Sequence, residues 1–150
     1  DVYKRQPALC RDIAADLRDK AEKSQVSLTV EGQDVRAEGV RRLLHETIYN
    51  LCDNAIKYNK PGGSVTVSVA RENEKAVLTV KDTGIGIPEG EQDRIFERFY
   101  RVDKSHSKEV GGTGLGLSIV KHAAMLHKAS IDVSSRPGTG TTIKVTFPIE

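Results

Sequence analysis

Glu46, Asn50 and Asn54 stand four residues apart in the segment His45-Glu46-Thr47-Ile48-Tyr49-Asn50-Leu51-Cys52-Asp53-Asn54-Ala55-Ile56-Lys57-Tyr58. Residues at that spacing stack on one face of a helix. A polar line therefore runs beside the apolar Ile48, Leu51 and Ile56. Asparagine is a poor interior helix residue because its side chain competes for backbone partners. Two on one face suit either a solvated surface or a cation and nucleotide site. An Asn carbonyl oxygen is a neutral hard ligand for Mg²⁺ that leaves most positions to phosphate and water.

Asp82-Thr83-Gly84-Ile85-Gly86-Ile87-Pro88 follows an alternating strand pattern. An Asp at a strand end can accept a hydrogen bond from an exocyclic amine, and the glycines let backbone approach a flat ligand. A glycine turn capped by Asp is the plain alternative. Gly111-Gly112-Thr113-Gly114-Leu115-Gly116-Leu117-Ser118 then leads into a helical pattern. The N–H groups and positive dipole end of a helix N-terminus suit a polyphosphate. This is neither the dinucleotide fingerprint nor a Walker sequence, because the preceding segment is polar rather than a strand and no GxxxxGK[ST] is present.

The elements that must position these groups are legible in the periodicities. Leu9, Ile13, Ala14 and Leu17 predict a helix over 8–23. Val26, Leu28 and Val30 predict a strand ending at Glu31-Gly32. Val40, Leu43, Leu44, Ile48, Leu51, Cys52, Ala55 and Ile56 make one helical stripe that stops at Asn59-Lys60-Pro61-Gly62-Gly63. Val65, Val67 and Val69 pair with Ala76, Leu78 and Val80 as an antiparallel hairpin about Asn73. A short polar helix is expected over 89–99 and a mobile loop over 101–110. A third helix over 115–127 shows a broad apolar surface of Leu117, Ile119, Val120, Ala123, Ala124 and Leu126. Ile131 and Val133 pair with Ile143, Val145 and Phe147 as a second hairpin about Pro137-Gly138. Five strands in hairpins and three helices favour an α+β two-layer sandwich, with helices on one face of the sheet and Thr66, Ser68, Thr79, Ser134, Lys144 and Thr146 on the other.

The 150 residues suffice for one domain with its own core. Residues 1–7 read as linker or expression remnant and 8–150 as the domain. A chain opening on Asp1 rather than Met is expected to be part of something longer. The 23 basic and 21 acidic side chains are too evenly balanced to favour nucleic acid or anionic lipid by bulk attraction. No apolar run is long enough for a membrane span. Cys10 and Cys52 have no metal spacing, which fits a reducing compartment.

In order and spacing, these segments resemble the ATP-binding domain of sensor histidine kinases, within the Bergerat-fold ATPases that include gyrase, the Hsp90 chaperones and the MutL proteins. The segment of Glu46, Asn50 and Asn54 resembles the family's N box, 82–86 its G1 box, Phe96-Glu97-Arg98-Phe99-Tyr100-Arg101 its F box and 112–116 its G2 box. The closing Pro137-Gly138-Thr139-Gly140-Thr141 turn resembles its C-terminal hairpin. The resemblance implies a mixed five-stranded sheet and a site for ATP and Mg²⁺. Asn50 would bind Mg²⁺, and Asn54 would help hold metal and nucleotide. Lys57 would reach a phosphate, Tyr58 would pack beside adenine, and Asp82 would accept from the adenine amine. Gly84, Gly86 and Ile87 would shape the base pocket. Arg101 would approach the γ-phosphate. Gly112, Thr113, Gly114, Leu115 and Gly116 would form a hinged lid over the nucleotide. Glu46 would act on the acceptor histidine, or on water as in the ATPase relatives, unless it is a helix-face partner of Arg42.

The function so implied is phosphoryl transfer from ATP to a histidine on a separate dimerisation domain, and from there to a response regulator. The parent would be anchored in a bacterial inner membrane with this domain cytoplasmic and free of direct membrane contact. A gyrase-, Hsp90- or MutL-type ATPase and a nucleotide-sensing module without transfer are the alternatives. His45 lies inside the N box, and His106, His122 and His127 read as solvated or core-edge residues rather than phospho-acceptors. Phe96 and Phe99 read as packing.

Overall fold

The computed structural model describes residues 6–32, 41–88, 90, 92, 94–96 and 116–148. Helix α1 (Gln6–Lys23) buries Ile13, Ala14, Leu17 and Ala21. Its end is closed by Gln25 at φ 57°, with Gln25 N donating to Glu22 O and Val26 N to Ala21 O. This is the paired C-terminal bonding that a left-handed residue permits. β1 (Ser27–Gly32) follows and turns Leu28 and Val30 inward. α2 (Arg41–Lys57) buries the expected stripe from Leu44 through Ile48, Leu51, Cys52 and Ala55 to Ile56.

β2 (Ser64–Glu72) and β3 (Lys75–Asp82) form the first hairpin. α3 (Gly116–Leu126) and the hairpin of β4 (Ser130–Arg136) and β5 (Gly140–Pro148) complete the described elements. The sheet order is β1-β2-β3-β5-β4. β1 runs parallel to β2, and the other three pairings are antiparallel. Among the described residues, the fold is the expected α+β sandwich of three helices against a mixed five-stranded sheet.

The register stacks the core in layers. Val67 lies opposite Val80, which lies opposite Ile143; Val69 lies opposite Leu78, which lies opposite Val145. All six are buried and join the helical stripes in one hydrophobic cluster. Thr66, Ser68, Thr79 and Thr146 are half-buried on the opposite face, where Lys144 and Ser134 are exposed.

Two expectations need correction. The described part of the stretch 89–99 is turn rather than α-helix at Gln92 and at Arg94–Phe96, with Ile95 buried. On α3 only Val120, Ala123 and Ala124 are buried, while Ile119 and Leu126 are exposed. The helix packs against α2 and β4, with Leu117 on the core, while Met125 also stays exposed. Arg101, Gly112, Thr113, Gly114 and Leu115 lie outside the described residues, as do Phe99, His106 and the expected loop 101–110.

The first hairpin turns through Asn73 at φ 50° and Glu74 at φ 61°, both left-handed. Two-residue hairpins favour Asn-Gly at such positions, since a Cβ there is strained. Glu74→Gly is expected to raise stability by up to about 1 kcal/mol. A higher urea midpoint at unchanged slope would bear this out; a lower midpoint would contradict it.

Candidate nucleotide-binding site

The site grows from the end of β3. Asp82 closes that strand opposite Val65 of β2 and Thr141 of β5. Its Oδ1 accepts from Gly84 N at 2.9 Å and from Thr141 N at 3.2 Å. Its other oxygen has no hydrogen-bond partner among the described residues. Withdrawal from water pushes the Asp82 carboxyl above the usual carboxylate value; the two N–H donors act in the opposite sense without cancelling this.

The loop that follows is pinned from two sides. Ile85 N donates to Tyr58 O at 3.1 Å, which ties it to the end of α2. Ile87 N donates to Ser135 Oγ at 2.8 Å, and Gly138 N donates to Ile85 O at 2.8 Å, which ties it to the second hairpin. Gln92 Nε2 reaches both Ile87 O and Ser135 O, at 3.1 and 3.2 Å. The glycines make this clamping possible. A Cβ on Gly84 would lie 2.4 Å from Tyr58 O. Gly86 has φ +76°, and a Cβ there would lie 2.2 Å from Arg136 O.

α2 supplies the polar line. Glu46, Asn50 and Asn54 are all half-buried. Asn50 Nδ2 donates to Glu46 O at 2.7 Å, which fixes the amide and leaves its carbonyl oxygen free among the described residues. That oxygen faces the start of α3: a Cβ on Gly116 would sit 3.2 Å from it. Among the described residues, Arg42 and Glu46 form no salt bridge with each other. Lys57 Nζ lies 3.0 Å from Asp53 Oδ2, and Lys20 Nζ of α1 lies 3.3 Å from Asp53 Oδ1. The Lys20 ammonium titrates above its ordinary value, because the charge of Asp53 and the Tyr49 hydroxyl outweigh the cost of partial burial.

The structure thus brings Asp82, Gly84, Gly86, Ile87 and Tyr58 together at one end of α2, and Asn50 and Gly116 together further back along it. Sequence reasoning missed Thr141, Ser135, Gln92, Asp53 and Lys20. The four-residue spacing of Asp53 and Lys57 was a signal for Asp53; none pointed to Lys20. Among the described residues, no three His, Cys, Asp or Glu side chains cluster as a metal cage. No helix there is long and apolar enough to cross a membrane.

The sequence profile of the histidine kinase-, DNA gyrase B- and HSP90-like ATPases matches residues 39–150. The chain belongs to that family, and it is a catalytic ATP-binding domain of the sensor histidine kinase type. It is 45% identical over 129 residues to the sensor-like histidine kinase SenX3 of Mycolicibacterium smegmatis, covering 85% of this chain and 34% of that protein. It is 42% identical over 118 residues to the sensor histidine kinase WalK of Bacillus subtilis, covering 77% of this chain and 19% of that protein. The mycobacterial sensor histidine kinase MprB superposes with a TM-score of 0.84 at 28% identity, over 97% of this chain and 95% of that one. The chain therefore spans about a third or less of the length of these two curated relatives.

A raised carboxyl value in the folded state means that ionising Asp82 costs stability, and the cost grows as pH rises from the ordinary value of 3.8 through the raised one. Asp82→Asn keeps an acceptor for both N–H groups and removes that cost. At pH 7 its melting temperature should match or exceed that of the parent, while affinity for ATP falls about tenfold or more, as loss of a hydrogen bond to a charged group would give. A large drop in melting temperature, or unchanged affinity, would contradict the assignment.

Proposed function

We propose that the chain binds Mg-ATP and passes its γ-phosphoryl group to a histidine on the dimerisation domain of its parent kinase, which then supplies an aspartate of a response regulator. The observation that carries this reading is the Asp82 carboxylate, fixed through one oxygen by two backbone donors and open at the other. That oxygen suits an adenine amine, and guanine, with a carbonyl at the equivalent position, would be refused. Gly84, Gly86 and Ile87 line the base side, and Tyr58 packs beside the ring.

The phosphates would run along α2 toward Gly116. Asn50 offers a neutral carbonyl oxygen there, and its fixed amide fits a metal held otherwise by phosphate and water. Mg²⁺, when bound, offsets phosphate charge. Asn54 supports the same ligand set, and Lys57 donates to a phosphate. Arg101 would meet the γ-phosphate, and Gly112, Thr113, Gly114 and Leu115 would cover it. Glu46, one turn before Asn50, would hydrogen-bond the acceptor imidazole and direct its attacking nitrogen. Positioning and electrostatics carry such a transfer, with little covalent chemistry for the protein to perform. The similarity to sensor kinases supports a parent anchored in a bacterial inner membrane, with this domain on the cytoplasmic side.

The test is incubation with γ-labelled Mg-ATP and a separately supplied dimerisation domain. Acid-labile, base-stable label on that domain is expected, and it should fall about a hundredfold or more in Asn50→Ala, as loss of a transition-state electrostatic contact does. Release of free phosphate alone would instead indicate an ATPase. Tight binding with neither product would indicate a sensing module.

A further inference from the structure

Asp53 is the one charged side chain that is buried among the described residues, and the function proposed above leaves it without a role. It sits in the C-terminal part of α2, four residues before Lys57, where aspartate is a poor helix former. Its two oxygens are divided between two lysines from different helices: Oδ1 to Lys20 of α1 at 3.3 Å, Oδ2 to Lys57 of α2 at 3.0 Å. Lys20 is also held by Tyr49, 3.4 Å from the hydroxyl and 5.7 Å above the ring centre.

Helix geometry puts this arrangement at the edge of the polar line. Lys57 follows Asn50 by seven residues and Asn54 by three, so all three share a face. Asp53 follows Asn50 by three and lies on the side turned to α1. Lys57 is thus flanked by Asp53 and the asparagine line. An ammonium has three N–H donors. With one engaged by Asp53, two remain for a phosphate oxygen.

The charge that Lys57 presents depends on how fully Asp53 is neutralised elsewhere. With Lys20 in place, the carboxylate is shared and the three groups carry a net positive charge. Without Lys20, the whole negative charge of Asp53 falls on Lys57. The Asp53 side chain is 12% exposed, so the interaction is screened less than a surface pair would be.

We propose that Lys20 and Asp53 are positioning residues that act through Lys57, so that α1 sets how strongly the site attracts the phosphates of its nucleotide. This rests on the reading of Lys57 as a phosphate contact. It assigns α1 a part in nucleotide affinity although none of its described side chains belongs to the asparagine line or the adenine loop.

Titration calorimetry of the chain with Mg-ATP and with adenosine tests this in the parent, Lys20→Ala, Asp53→Asn and the double variant. Lys20→Ala should weaken ATP about two- to fivefold, the range of partly exposed charge pairs, and leave adenosine unchanged. Asp53→Asn should tighten ATP by a similar factor. In the double variant the loss of Lys20 should have little effect, because the group it neutralised is gone. Equal effects of Lys20→Ala in both backgrounds, an equal effect on adenosine, or no effect on ATP would each overturn the proposal. Both lysines are partly exposed and can rehydrate, so the variants keep the fold, which melting curves verify. Lys57→Ala separates the two levels. If it leaves ATP affinity unchanged, the phosphate reading of Lys57 falls and the proposal with it. If it weakens ATP while Lys20→Ala does not, only the proposal falls.

Discussion

A carboxylate drawn partly out of water has to be held, and the way Asp82 is held organises the rest of the molecule. Two backbone donors converge on one of its oxygens, from Gly84 just downstream and from Thr141 on the neighbouring strand. Both can do so only if β3 and β5 keep their register and the loop 83–88 folds back on the end of α2. That loop is in turn seated by Tyr58 O on one side and by Ser135 on the other. Burial makes the charge costly, and the two N–H groups make it tolerable. Such a site trades stability for an acceptor of fixed direction.

The same seating separates the groups proposed to meet the two ends of a nucleotide. Asp82 and the loop after it lie where α2 stops, and the Asn50–Gly116 pair lies about two turns earlier along the same helix. One rigid element thus sets the distance between the proposed base end and the proposed phosphate end. Its apolar stripe fixes α2 on the sheet, so the polar line has no freedom to rotate away.

Much of this was legible in the chain. The stripe from Leu44 to Ile56 and the alternation of Val65, Val67 and Val69 each select one period and one face. α3 was harder, because an apolar surface as broad as that of Leu117 to Leu126 does not say which side is covered. Val120, Ala123 and Ala124 are the ones buried, with Leu117 packed partly against the core. Val77 is buried although alternation assigns it to the outer face, where Ala70 and Thr146 flank it on the adjoining strands. The left-handed ends at Gln25 and Lys128 carry no glycine and gave no sign.

The site divides along the same line. Local spacing revealed Asn50, Asn54 and the Asp82 loop, since a four-residue interval or a glycine pair is visible without tertiary contacts. The groups that hold them were not visible. Ser135 meets Ile87 across 48 residues, Thr141 meets Asp82 across 59 and Lys20 meets Asp53 across 33, distances that only the sheet register and helix packing close. The Asp82 end and the Asn50 end are proposed to serve one ligand. Titrating Mg-ADP while following the amide resonances of Gly84 and Thr141 and the side-chain amide of Asn50 tests this most directly. All three should move along a single binding curve with one dissociation constant. Separate curves, or movement at one end alone, would contradict it.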